Sequence, residues 1–223
     1  MATTKNGLLR GLSGKVGPIV VCKGKDKSIV KILPKKTTKA PKLPQLSQRA
    51  IFKMVKQFID QTQQVMRIGY YDYLHTERPL NAATAYHLKN AVIGVYPDFT
   101  MDAVKIKVSR DQGGLKQEFN ATVSIDAGDI LKVSWDFATI YNPFEMLKRK
   151  LDQAVLLIFD ETKQLTSSRI GEVTRAAGKL EVSLPKAFQG DQLHCYFFFA
   201  AEDGKVSNTQ YLGVISNYTP SMI

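Results

Sequence analysis

The sequence predicts an α+β protein: an N-terminal β-hairpin arm, a two-helix region, and a C-terminal antiparallel β-sandwich. Three observations carry that prediction. Apolar residues recur every three or four positions between residues 45 and 93, the period of an amphipathic helix. Beyond residue 101 the period changes to two, in short runs broken by Gly, Asp, Asn and Pro, which is the pattern of a sandwich. Before both lies a segment of different character, in which residues 1–56 hold 14 Lys or Arg and a single acid, Asp26. The other 167 residues hold 17 basic and 19 acidic side chains, so the net charge of +11 belongs to the N-terminal quarter.

In the arm, Val16 and the run Ile19–Cys22 are β-prone, the stretch from Lys23 to Lys27 contains Gly24, and Ile29, Val30, Ile32 and Leu33 follow around Lys31. This reads as a hairpin, and a hairpin alone is marginal in water. It must therefore pack on its own body or exchange between subunits, and the sequence leaves both open. Pro34, Pro41 and Pro44, with the lysines between them, stiffen a solvated linker toward an extended path. The domain boundaries expected are 1–44 for arm and linker, 45–100 for the helices and 101–223 for the sandwich. A first helix is expected over 45–68, with Leu46, Ala50, Ile51, Met54, Val55, Phe58 and Ile59 in its stripe and Gly69 as its stop. A second is expected over 81–93, with Asn81 as N-cap and its alanines set for close packing on the first. Strands are expected around Val104–Val108 and at 122–125, 130–135, 154–159, 165–170, 180–184, 193–200 and 209–214, with a short helix within 141–151.

The stretch Leu131-Lys132-Val133-Ser134-Trp135-Asp136 resembles the strand bearing the buried tryptophan of fibronectin type III and related immunoglobulin-like modules. The segments 180–185, 193–197 and 203–208 resemble later strands and a turn of that fold. The resemblance covers about 100 residues and implies the same sandwich. Motifs along nearly the whole chain also resemble an uncharacterised Bacteroidota family, among them Gly11-Leu12-Ser13-Gly14-Lys15-Val16-Gly17, Gln48-Arg49-Ala50-Ile51-Phe52-Lys53 and Tyr96-Pro97-Asp98. That resemblance implies no catalytic residue. The layout of basic arm, helices and sandwich is similar to that of bacteriophage structural proteins.

The chemistry-bearing residues do not converge. Gly11-Leu12-Ser13-Gly14-Lys15 lacks the spacing of a phosphate loop. Asp126 and Asp129 lack the alternating ligands and closing Glu of a calcium loop, and Asp160 and Glu161 fall in a turn. His194 and Cys195 are adjacent in a strand, so their side chains take opposite faces. The scattered cysteines, Cys22 and Cys195, suit neither a disulfide framework nor zinc. No enzyme activity, metal or cofactor is expected, and neither is a membrane span or a secretory signal, which implies synthesis in the cytoplasm. The function expected is that of a structural or interaction protein in a larger assembly, its arm reaching other protein subunits. The alternative is non-specific binding of nucleic acid or another polyanion through Lys23, Lys25, Lys27, Lys31, Lys35, Lys36, Lys39 and Lys42. Glycan binding through Tyr141, Phe144 and Tyr218 is a third possibility.

Overall fold

The computed structural model of the chain describes residues 2–4, 13–23, 27–35, 38–71, 78–110, 115, 120–126, 129–137 and 143–216. The chain divides into two compact units, Met1–Lys42 and Leu43–Ile223.

The first unit is more than a hairpin. Strands β1 (Ala2–Thr4), β2 (Gly14–Val16), β3 (Ile19–Lys23) and β4 (Ser28–Ile32) form one antiparallel sheet in the order β1-β4-β3-β2. The apolar run of residues 16–22 is split because the chain turns at Gly17-Pro18, where Gly17 takes φ +55°, a conformation glycine adopts without steric cost. The strand at Ala2–Thr4, too polar to show period two, is held by pairing with Ser28–Val30.

In the second unit, α1 (Leu43–Gln61) and α2 (Gln63–Gly69) replace the single helix the periodicity predicts. The break falls at Thr62, whose hydroxyl donates to Phe58 O at 2.8 Å; such back-bonding competes with the helical ladder and bends it. Helix α3 (Pro79–Asn90) starts two residues before Asn81, with Pro79 in its first turn. Its buried positions are Ala82, Ala83 and His87, while Ala85, expected inward, is exposed. The chain then forms a hairpin, β5 (Val92–Val95) and β6 (Asp98–Met101), whose first two residues fall in the last two positions of the expected helix.

Strands β7 (Thr122–Asp126), β8 (Ile130–Ser134) and β11 (Lys179–Ser183) make a three-stranded antiparallel sheet in the order β11-β8-β7. Strands β9 (Gln153–Asp160), β10 (Leu165–Thr174), β12 (Gln192–Ala200) and β13 (Gln210–Ser216) make a four-stranded one in the order β10-β9-β12-β13. Helix α4 (Pro143–Arg149) lies between β8 and β9 in the chain. The near-continuous apolar character of β9 and β12 follows from their place at the centre of the larger sheet, with both faces covered. Val155, Leu157, Phe159, Tyr196 and Phe198 enter one apolar cluster with Val55, Phe58, Ile59 and Met66 of the helices. The alternate residues Leu156, Ile158, Cys195, Phe197 and Phe199 enter a second with Leu131, Val133, Trp135, Leu180 and Val182 of the smaller sheet. The helices and the larger sheet thus share a core.

The segment 103–110 departs from the strand its alternation predicts. A 3-10 turn spans Ala103–Lys105, and the chain then runs on outside any sheet, with Ile106 and Val108 buried. No helix among the described residues is long and apolar enough to cross a membrane.

Candidate interaction surface

The arm sheet sorts its side chains by pleat. Register pairs Lys15 with Val20 and Val20 with Lys31, so these three share a face. The opposite face carries Val16, Ile19 and Ile32 in one row and Val21 and Val30 in the next, with Lys23 beside Ser28 at its end. Val21 is the large apolar residue buried among the described residues of the arm, while Val16, Ile32 and Leu33 are 56, 77 and 38% exposed. Of the lysines singled out in the sequence, Lys23, Lys27, Lys31, Lys35, Lys39 and Lys42 are all exposed. Lys25 and Lys36 lie outside the described residues. Lys23 and Lys31 are on opposite faces, and Lys35, Lys39 and Lys42 follow the sheet without regular structure, so these lysines do not form a single pocket.

Three of the polar groupings in the body centre on a histidine or a buried arginine. His194 on β12 has Nδ1 2.9 Å from the Tyr211 hydroxyl and Nε2 3.4 Å from Glu161 Oε2. Burial raises the Tyr211 phenol above its usual range, and neighbouring Cys195, on the opposite face, is pushed up to about 12 by burial. A thiol held neutral in this way is a poor nucleophile, and burial works against Tyr211 as well. In the second place, fully buried Arg175 donates from Nη1 to Asp152 Oδ2 at 3.1 Å and lies 4.4 Å from the Phe199 ring centroid. Its carbonyl accepts from Trp135 Nε1 at 2.7 Å. These bonds anchor the start of β9 and the end of β8, and Asp152 also lines a surface cavity of about 370 Å³ with Arg149, Leu151, Ala201, Glu202 and Asp203.

The third place is His87, buried on α3. Its Nδ1 donates to Ala83 O at 2.7 Å, and its Nε2 accepts from Lys107 N at 3.3 Å. A backbone N–H can only donate, so the ring is the neutral Nδ1–H tautomer. Beside it, Lys107 Nζ and Arg110 Cζ lie 5.8 and 5.3 Å from the centroid of the Tyr86 ring. The sequence showed these residues as one lysine in an expected strand, an arginine after it and a tyrosine in a helical stripe, with no motif to join them.

On the outward side of α1, Phe52, Lys53, Lys56, Gln57, Asp60 and Gln61 line a surface groove of about 610 Å³. Phe144 on α4 is 76% exposed; Tyr141 and Tyr218 lie outside the described residues. Among the described residues no group of three or more His, Cys, Asp or Glu is placed to hold a metal ion. No curated protein matches the chain. A family model does match, over residues 11–213, a span that takes in most of the arm, the helices and both larger sheets. The chain therefore belongs to the family described as "Family of unknown function (DUF6266)".

Proposed function

We propose that this protein is a non-enzymatic subunit of a larger protein assembly, and that its arm contacts a neighbouring subunit. The observation that carries this reading is the thinness of the arm's own core. Among its described residues one large apolar side chain, Val21, is buried, while Val16 and Ile32 remain mostly exposed in one row of a single face. A small sheet with so little burial is marginal by itself, and a partner's surface would cover that row. The body supports a scaffold role. Its sheet orders, β11-β8-β7 and β10-β9-β12-β13, and the place of Trp135 in the core with the smaller sheet support a fibronectin type III-like sandwich, which we take it to be. The resemblance to a Bacteroidota family, and the layout similar to bacteriophage structural proteins, favour a virion-like or other large particle. Synthesis would be cytoplasmic.

Gel filtration with light scattering on the full chain, across a range of concentrations, tests this directly. Multimers that dissociate when Val16 and Ile32 are both changed to Thr are expected. A monomer at every concentration, with the arm resistant to protease, would overturn the proposal.

A second reading has its own observation. Every described lysine of the arm set, namely Lys23, Lys27, Lys31, Lys35, Lys39 and Lys42, is exposed, and the first unit carries 11 basic residues against one acid. Such a segment attracts nucleic acid or another polyanion with a steep dependence on salt. Retention on heparin should fall sharply for a chain beginning at Leu43, and equal retention would remove this reading.

A further inference from the structure

Segment 106–110 is irregular in backbone and yet fastened on three sides. Arg110 N donates to Gly69 O at the end of α2 at 3.0 Å. Tyr70 Oη donates to Lys107 O at 3.0 Å, and Lys107 N donates to His87 Nε2 on α3. Ser109 donates from N to Thr209 Oγ1 and from Oγ to Ser207 O, both at 2.7 Å, and Thr209 Oγ1 donates back to Ser109 O. The strap lies so close to α2 that a Cβ at Gly69 would come within 1.9 Å of Val108 O. While Ile106, Val108 and Ser109 point inward and are buried, Lys107 and Arg110 come out against the Tyr86 ring. Lys89, exposed on α3, is three residues from Tyr86 and so shares its helical face.

We infer that Tyr86, Lys89, Lys107 and Arg110 form a second polyanion contact, on the body rather than the arm, that takes the phosphodiester backbone of a nucleic acid. The inference rests on the second reading above. The fixed backbone means that little order has to be gained on binding, and the aromatic ring keeps both cations from folding away. A guanidinium beside an ammonium suits phosphate, which takes the planar fork through two oxygens and the ammonium as a point charge. Charge on two units joined by a proline-bearing linker favours a long polymer over a small anion. A polymer can engage both without any set geometry between them, and each contact raises the effective concentration of the other.

The test is fluorescence anisotropy of a labelled 30-nucleotide poly(dT) strand with the full chain, titrated at several salt concentrations. K107Q/R110Q should flatten the slope of log K against log salt by about 1.4, at roughly 0.7 per phosphate on a single strand. K107R/R110K should retain the wild-type slope. An arm variant, K31Q/K35Q, should flatten it independently by a similar amount. If the arm variant flattens the slope and K107Q/R110Q does not, the strap site is overturned and the arm reading stands. If neither variant matters, both fall. If poly-glutamate displaces the strand at equal charge, and its own binding is lost in K107Q/R110Q, the site takes acidic protein and the nucleic-acid inference is overturned.

Discussion

His87 ties a single proton to the fit of several elements. Burial holds its imidazole down to about 4, from an ordinary value near 6.5, because a charged ring there would lose water and gain little in return. The neutral ring is also the one that can accept from Lys107 N. Protonation of Nε2 would set donor against donor. A depressed value in the folded state means that the unfolded chain binds the proton more readily. Stability is then complete above pH 6.5 and is lost as pH falls through about 4, by about 3 kcal/mol at the acid end. Urea unfolding at pH 7 and pH 4.5 should show this loss, and His87→Gln, which keeps an acceptor without an ionisable ring, should show markedly less of it. Gly69 is the companion residue. A methyl group there meets backbone rather than a flexible side-chain tip, so Gly69→Ala should cost about 2–3 kcal/mol and expose the amides of residues 107–110 to hydrogen exchange.

At the scale of elements, the packing of Trp135 shows why some parts of the fold were legible beforehand. Its ring stacks on Phe197 at 5.2 Å and meets Phe199 edge-on at 5.5 Å, while its N–H reaches the carbonyl of Arg175. Loss of Asp152 would remove the carboxylate that accepts from Nη1 of the buried Arg175 guanidinium. Asp152→Ala should therefore destabilise by about 3–5 kcal/mol, more than Trp135→Phe, which keeps most of the apolar contact and gives up one hydrogen bond, about 1–3 kcal/mol. Chemical denaturation of the two variants ranks them, and the reverse order would mean that the ion pair is not what holds this junction. Strands β7, β8 and β11 could be read in advance because they alternate, and β9 and β12 because they are apolar on both sides, and both patterns follow from burial. The same logic misread 103–108. Its alternation holds in part, since Ile106 and Val108 are buried but Val104 is 67% exposed, and among the described residues no neighbouring strand completes a ladder. Strand β1 and the β5–β6 hairpin are set by pairing with distant or adjacent backbone, which leaves little trace in side-chain type. The exposed arm lysines were visible as composition. The grouping of Tyr86 with Lys107 and Arg110 was not, since about 20 residues separate them and only the fastening of the strap brings them together.

For the whole molecule, the charge and the cores are divided unequally between the two units, and that gives a prediction for each cut of the chain. Both apolar clusters fall within Leu43–Ile223, so a chain beginning at Leu43 should fold with a cooperative thermal transition close to that of the full protein. It would carry 20 basic and 19 acidic residues in place of a net +11, and with that near-neutral balance its solubility at pH 7 should drop. A cut at Met101 is a different matter. It removes the helices from Val155, Leu157, Phe159, Tyr196 and Phe198, which lie on one continuous face of the larger sheet. Exposing five large apolar side chains together forfeits roughly 1.5–3 kcal/mol for each one uncovered, more than the whole stability of an ordinary domain in unfavourable cases. That shorter chain should therefore bind a hydrophobic dye, lose its sharp transition and aggregate, even though both sheets remain intact in sequence. Differential scanning calorimetry of the two truncated chains separates the cases. A cooperative transition from the chain cut at Met101 would mean that the two sheets are self-sufficient and that the helices are an accessory layer rather than part of the core.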